Sequence, residues 1–184
     1  MSSWLASLLA AAVSASAPLT LETELAKGTL TVEFQLHEPL PEFLEGALPT
    51  GAAVDVNYQV RVRSKRKVWW DKKVWKGDAT ATAVFDPVTG RYNCVLVLDG
   101  VIVSSREVET RDEALAWLAN PGVVRFAMPE NLRESSLAIR VRAVFSSSTK
   151  WLFFPDTEGT VWVEVPITSD QVEGAEDAPD STEG

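Results

Sequence analysis

The sequence predicts a mainly β fold, an antiparallel β-sandwich with two short helices. Three observations predict it. Apolar residues recur with a period of two over most of the chain, the signature of strands with one wet face. Turn dipeptides fall between those runs, so successive strands are joined as hairpins. Only two stretches carry helix signals. With 184 residues, 46 % of them hydrophobic, the chain can build one core of ordinary domain size.

The elements follow in order. Trp4 to Val13 is apolar and short, and Ala15-Ser16-Ala17 has the small-x-small form of a signal-peptidase site. Ten residues cannot span a bilayer, which needs about 20. No Lys or Arg precedes the run, so the usual positive start is missing. Pro18 disfavours a cut after Ala17 and leaves a cut after Ala15 equally open. We therefore expect a signal peptide over 1–17 and a periplasmic or otherwise exported product. One β-sandwich domain then covers 18–168. Residues 169–184 hold six acids, no base and no aromatic, which predicts a disordered acidic tail.

Inside the domain, Leu30, Val32, Phe34 and Leu36 alternate with polar residues. So do Val54, Val56, Tyr58, Val60 and Val62, with Asp55, Asn57, Gln59 and Arg61 between them. Leu137, Ile139, Val141, Ala143 and Phe145 repeat the pattern around Arg140 and Arg142, and Val161, Val163 and Val165 close the series. Cys94 to Leu98 and Val101 to Val103 are unbroken apolar runs, which predicts central strands buried on both faces. Lys27-Gly28, Asp86-Pro87-Val88-Thr89-Gly90 and Asp99-Gly100 supply the turns. Thr110-Arg111-Asp112-Glu113 is a capping box. It starts a helix whose apolar side is Ala114, Leu115, Trp117 and Leu118, and Asn120-Pro121-Gly122 stops it. A second helix is expected over Pro41 to Ala47, with Phe43, Leu44 and Ala47 inward.

Catalytic signals are poor. The single Cys94 excludes an intramolecular disulfide, and with the single His37 it cannot complete a usual zinc set. No phosphate loop, Ser-centred elbow or His-based metal motif occurs. Asp71, Asp78, Asp86 and Asp99 are available as carboxylates, but a hydrolase needs two acids about 5–9.5 Å apart in a cleft, and the spacing marks no such pair. The expectation is no catalytic residue, no metal and no cofactor. A pI near 4.7 and a net charge of −9 argue against nucleic acid as partner.

One segment stands out against that acidity. Arg61 to Lys76 holds eight of the seventeen Lys and Arg residues and three of the seven Trp, with Asp71 as its one acid. Arg61, Arg63 and Lys65 should share the wet face of a strand, about 6.8 Å apart. The chain then turns near Ser64 to Lys67 and returns through Trp69, Trp70, Lys72 and Trp75. Adjacent Trp residues on a strand point to opposite faces, so one of them should reach solvent. Two readings compete: a binding surface, or a Trp core beside a charged edge that resists aggregation.

The run Gly46-Ala47-Leu48-Pro49-Thr50 followed by Arg66-Lys67-Val68-Trp69-Trp70-Asp71-Lys72-Lys73-Val74 resembles the bacterial family called domain of unknown function 4390. The order downstream is also similar: Arg91-Tyr92, a Thr110-x-Asp112-Glu113-Ala114 helix, a late alternating strand, Trp151-Leu152-Phe153-Phe154 and Trp162. The resemblance covers 18 to 168. The uncharged leader, an extra residue in the Gly-x-Pro bend and the acidic tail depart from the family pattern. What it implies is an envelope location and no assigned activity or catalytic residue. Some members resemble neighbours of sensor-kinase genes, a pointer to signalling.

The expected function is thus a non-enzymatic interaction domain of the bacterial envelope. Its contact residues are expected to be Arg61, Arg63, Lys65, Trp69, Trp70, Lys72 and Trp75. The partner is expected to be an envelope protein or anionic ligand, with room for peripheral membrane contact by a monomer. The alternative is a glycan- or lipid-binding module with an aromatic pocket.

Overall fold

The computed structural model describes residues 18–26, 28–64, 72–129, 137–147 and 157–167. Two antiparallel sheets face each other. The smaller holds β1 (Leu19–Ala26), β2 (Thr29–Leu36) and β7 (Val123–Ala127), in that order. The larger runs β10 (Val163–Ile167), β8 (Leu137–Ser147), β3 (Val54–Ser64), β4 (Lys72–Asp86), β5 (Arg91–Leu98), β6 (Val101–Val108), and β9 (Thr157–Gly159) also pairs with β8. This is the expected sandwich.

The period-two pattern makes the core. Every second residue of β3 from Val54 to Ser64 is buried. Leu30, Val32, Phe34 and Leu36 of β2 meet that face. Phe34 stacks on Tyr58 with ring centres 4.5 Å apart and planes 14° off parallel, joining the sheets at their middle. The buried Tyr58 hydroxyl donates to the Leu118 and Ala119 carbonyls at 2.7 and 3.1 Å. Those carbonyls end α2 (Arg111–Ala119), so one phenol holds a helix terminus that lacks intrahelical partners. Desolvation pushes the Tyr58 hydroxyl well above its ordinary range.

The capping box forms as expected. Glu113 N–H donates to Thr110 Oγ1 at 3.2 Å, and Thr110 N–H donates to Glu113 Oε2 at 3.0 Å. Ala114, Trp117 and Leu118 are buried and Leu115 packs beside them. The other helix, α1 (Glu42–Ala47), buries Leu44 and is tied to α2 by an Arg111–Glu45 ion pair of 2.5 Å. At the β5–β6 turn, Asp99 and Gly100 take φ of 49° and 82°, the left-handed pair that a two-residue hairpin requires.

Two expectations are corrected. Cys94–Leu98 and Val101–Val103 are not both central strands. In β5, Tyr92, Cys94 and Leu96 are buried while the residues between them are not. β6 pairs only with β5 among the described residues, and Val101, Ile102 and Val103 are 64, 64 and 50 % exposed. An edge strand keeps β-branched residues for their backbone preference without burying them. Val161 is likewise exposed, because it precedes β10 instead of belonging to it.

Candidate basic interface

The cation-rich segment forms β3 and β4 of the larger sheet. Arg61 and Arg63 alternate with the buried Val60 and Val62, so both lie on the outer face, away from the smaller sheet. Lys72 pairs in register with Ser64, and Lys73 with Arg63. Lys65, Trp69 and Trp70 lie outside the described residues.

Trp75 corrects the expected grouping. The regular register of β3 and β4 places Trp75 opposite the inward Val62, and slips only beyond that pair, between Val62 and Arg63. Its ring packs edge-on against Phe126 of β7, with centres 5.3 Å apart and planes at 71°. It crosses above Gly77, which leaves the room the indole needs. Trp75 is therefore a half-buried inter-sheet residue and does not share a face with Arg61 and Arg63. The extra residue is Val74, before Trp75, and it inverts only what precedes it: Lys73 comes opposite the outward Arg63 and Lys72 opposite the inward Ser64.

The aromatic on the basic face is Trp162 instead. The Arg142, Arg140 and Arg61 guanidinium carbons sit 4.9, 5.5 and 6.0 Å from the centre of its ring. Local hydrogen bonds explain the placement. Thr160 N–H donates to the Ala143 carbonyl at 2.9 Å, and Ala143 N–H donates to Thr160 Oγ1 at 3.0 Å. This clamps the chain to β8 just before Trp162. Immediately after Trp162, β10 begins with Val163 opposite Val141, and Glu164 opposite Arg140. The indole is thus laid across the outward side chains of β8.

Charges on this face are stacked against one another. Arg140, Arg61 and Lys76 occupy directly opposed positions on β8, β3 and β4. Like charges directly opposite one another are destabilising. Relief is partial. Arg61 Nη1 reaches Asp78 Oδ1 at 2.9 Å and also donates to the Val60 and Gly77 carbonyls. Arg140 Nε lies 3.6 Å from Glu164 Oε2, and Arg142 Nε donates to Gln59 Oε1 at 2.9 Å. Among the described residues, the buried Nε atoms of Arg63 and Arg140 have no hydrogen-bond partner.

Position in the sheet separates two kinds of base. β3 is paired on both sides along its length. β4 pairs with β5 only over Ala79–Asp86, so Lys72 to Asp78 has an open edge among the described residues. The arginines occupy paired strands and the lysines of β4 occupy the edge.

Other candidate chemistry is dispersed. His37 Nε2 is 2.9 Å from Thr20 Oγ1. Cys94 is buried, and desolvation pushes its thiol up to about 11. Asp78 is bound to Arg61, Asp86 accepts the Val88 amide at 2.8 Å within its turn, and Asp99 shapes another turn. Asp71 is outside the described residues. No group of three or more His, Cys, Asp or Glu side chains among the described residues could hold a metal ion. A groove of about 510 Å³ is lined by Glu38, Glu42, Glu45, Glu158 and Phe145 among others. Its walls are acidic and proline-rich, unlike the aromatic pocket of a glycan or lipid module.

A family model for a domain of unknown function (DUF4390) matches residues 19–152. The chain belongs to that family. No curated protein and no solved structure gave a match. Sequence reasoning saw Arg140, Arg142 and Trp162 but did not join them to Arg61. The signal was present: two bases alternating along a strand with the same period as Arg61 and Arg63. Their union depends on β8 lying beside β3, a pairing of residues about eighty positions apart that periodicity does not reveal.

Proposed function

We propose that this chain is a non-enzymatic binding domain of the bacterial envelope, and that it engages an anionic partner through the outer face of its larger sheet. The observation that supports this most is the opposed Arg140–Arg61–Lys76 row beneath Trp162. A sheet face kept only for solubility needs no such row, because charges of mixed sign serve it better. Arg guanidinium groups recognise carboxylate and phosphate with directional bonds, and an indole beside them adds an apolar anchor. Arg61, Arg63, Arg140, Arg142 and Trp162 are the contact residues of this reading, with Trp75 left to the core.

Export is part of the same proposal and rests on the apolar run and small-x-small site within residues 1–17. No helix among the described residues is long and apolar enough to cross a membrane. The test is capture of an envelope partner by wild type, Arg142→Glu and Trp162→Ala. Recovery should fall in both variants while urea unfolding stays close to wild type. Equal recovery by all three chains refutes the proposal. Cell fractionation checks the location, and a product confined to the cytoplasm removes the envelope role.

A further inference from the structure

The last described strand ends beside the basic hairpin, and the acidic segment 169–184 follows it in sequence. β10 ends at Ile167, which pairs with Leu137; Leu137 pairs with Ser64, and Ser64 with Lys72. β10 therefore ends level with Ser64 and Lys72, the last described residues of the basic hairpin. Two strand spacings, about 10 Å in all, separate Ile167 from Ser64. One row further in, Arg63 faces Lys73, and the next such row is Arg140, Arg61 and Lys76.

Length and charge both fit. Residues 168–184 carry Asp170, Glu173, Glu176, Asp177, Asp180 and Glu183 and no base. By random-coil statistics a chain of that length reaches roughly 23 Å, more than the rows require. The face has acceptors of its own in Asp78, Glu164 and Gln59, yet among the described residues the buried Nε of Arg63 has no hydrogen-bond partner.

We infer that residues 169–184 dock in cis along the Arg63–Lys73 and Arg140–Arg61–Lys76 rows, as an acidic cover that an external anionic partner must displace. This deepens the binding-face reading and rests on it. The surface is one for an extended acidic peptide, and the chain's own segment is its resident occupant. Tethering makes the competition effective. A short flexible linker supplies an effective concentration on the order of 1 mM, so even a segment of about 0.1 mM affinity holds the face roughly ten parts to one.

The experiment uses the full chain and a full-length variant with the six acids neutralised (Asp170→Asn, Glu173→Gln, Glu176→Gln, Asp177→Asn, Asp180→Asn, Glu183→Gln). The probe is a fluorescent synthetic peptide of residues 169–184. The neutralised chain should bind it about tenfold tighter than wild type at low salt, and Arg63→Glu with Arg142→Glu in the neutralised chain should abolish binding. Carbodiimide treatment of wild type should join acids of the segment to Lys73 or Lys76 within one chain, less so at high salt. Equal peptide affinity in both chains, or no binding by the neutralised chain, overturns the cover. If the cover fails but Arg142→Glu still loses the envelope partner, the binding face stands alone. If partner recovery is also indifferent to Arg142, both fall together.

Discussion

Gly77→Ala tests where Trp75 lies, and with it the separation of core from binding face. Gly77 sits on the inner side of β4, opposite Val60. A Cβ built there overlaps Trp75 Cη2 and comes within 2.8 Å of both Trp75 Cζ2 and Phe126 Cδ1. Neither ring is a free end. Trp75 and Phe126 hold each other edge to face between the sheets, so the overlap cannot be relieved by one rotation. Overpacking of this kind costs about 1–3 kcal/mol, while Ala in place of a strand Gly gains about 0.5–1 kcal/mol, leaving a net loss of about 1–2 kcal/mol. With a urea slope of about 1–3 kcal/mol per molar, the midpoint should fall by roughly 0.5–1 M. The control is the same change in a Trp75→Leu chain, where the smaller side chain leaves space. There Gly77→Ala should be neutral or slightly stabilising, and the difference is a coupling energy assignable to the indole. If Gly77→Ala alone raises the midpoint, Trp75 does not cross Gly77. The indole then points outward and belongs with the basic face after all.

Tyr58→Phe should cost about 1–3 kcal/mol in urea unfolding, because the Leu118 and Ala119 carbonyls lose their buried donor; a change below a few tenths would mean water replaces the phenol. Lys76→Thr should stabilise the chain by about 0.2–1 kcal/mol by relieving the row with Arg61 and Arg140, and wild-type stability should rise with salt; loss of stability on this change would show that the row is compensated in full. The Glu113 carboxyl is held below its ordinary range chiefly by the Thr110 amide. Its lowered folded value means that the contribution is present above the unfolded value and lost as pH falls through the folded one. The stability gap between wild type and Glu113→Gln should therefore narrow on acidification, and a gap that widens reverses the sign.

Local rules carried most of the fold. Alternation found β2, β3, β8 and β10, since one-sided burial leaves that trace directly in the residues. Asp99-Gly100 and the Thr110–Glu113 box were equally readable, because a backbone conformation or a reciprocal hydrogen bond demands particular side chains there. β6 was misplaced because Val101-Ile102-Val103 satisfies strand preference whether or not a second strand covers it. The site was half legible. Arg61 and Arg63 followed from alternation, and Trp75 is in step with the inward Gly77, Ala79, Ala81 and Ala83; what stays invisible until β3 and β4 are paired is the register shift after Val62, which sets Lys72 opposite the buried Ser64. Trp162 needed the β8–β10 pairing as well.

The two readings of the cationic segment turn out to concern different residues. A lysine edge deters sheet-to-sheet pairing, because a hydrated ammonium resists desolvation. Lys72, Lys73 and Lys76 stand where β4 has no β5 neighbour, and their place on an open edge suits edge protection as well as a contribution to the basic rows. Edge protection does not account for Arg61, Arg63, Arg140 and Arg142, whose strands already have partners on both sides at those positions or one step away. Those four carry the planar, weakly hydrated guanidinium that stacks on indole and binds oxyanions in a fixed geometry. If the whole segment served solubility, Arg61→Lys and Arg142→Lys together would leave partner recovery unchanged, since charge is preserved. Binding through directed guanidinium contacts predicts a loss instead, because lysine keeps the charge and forfeits both the fork and the stacking on Trp162.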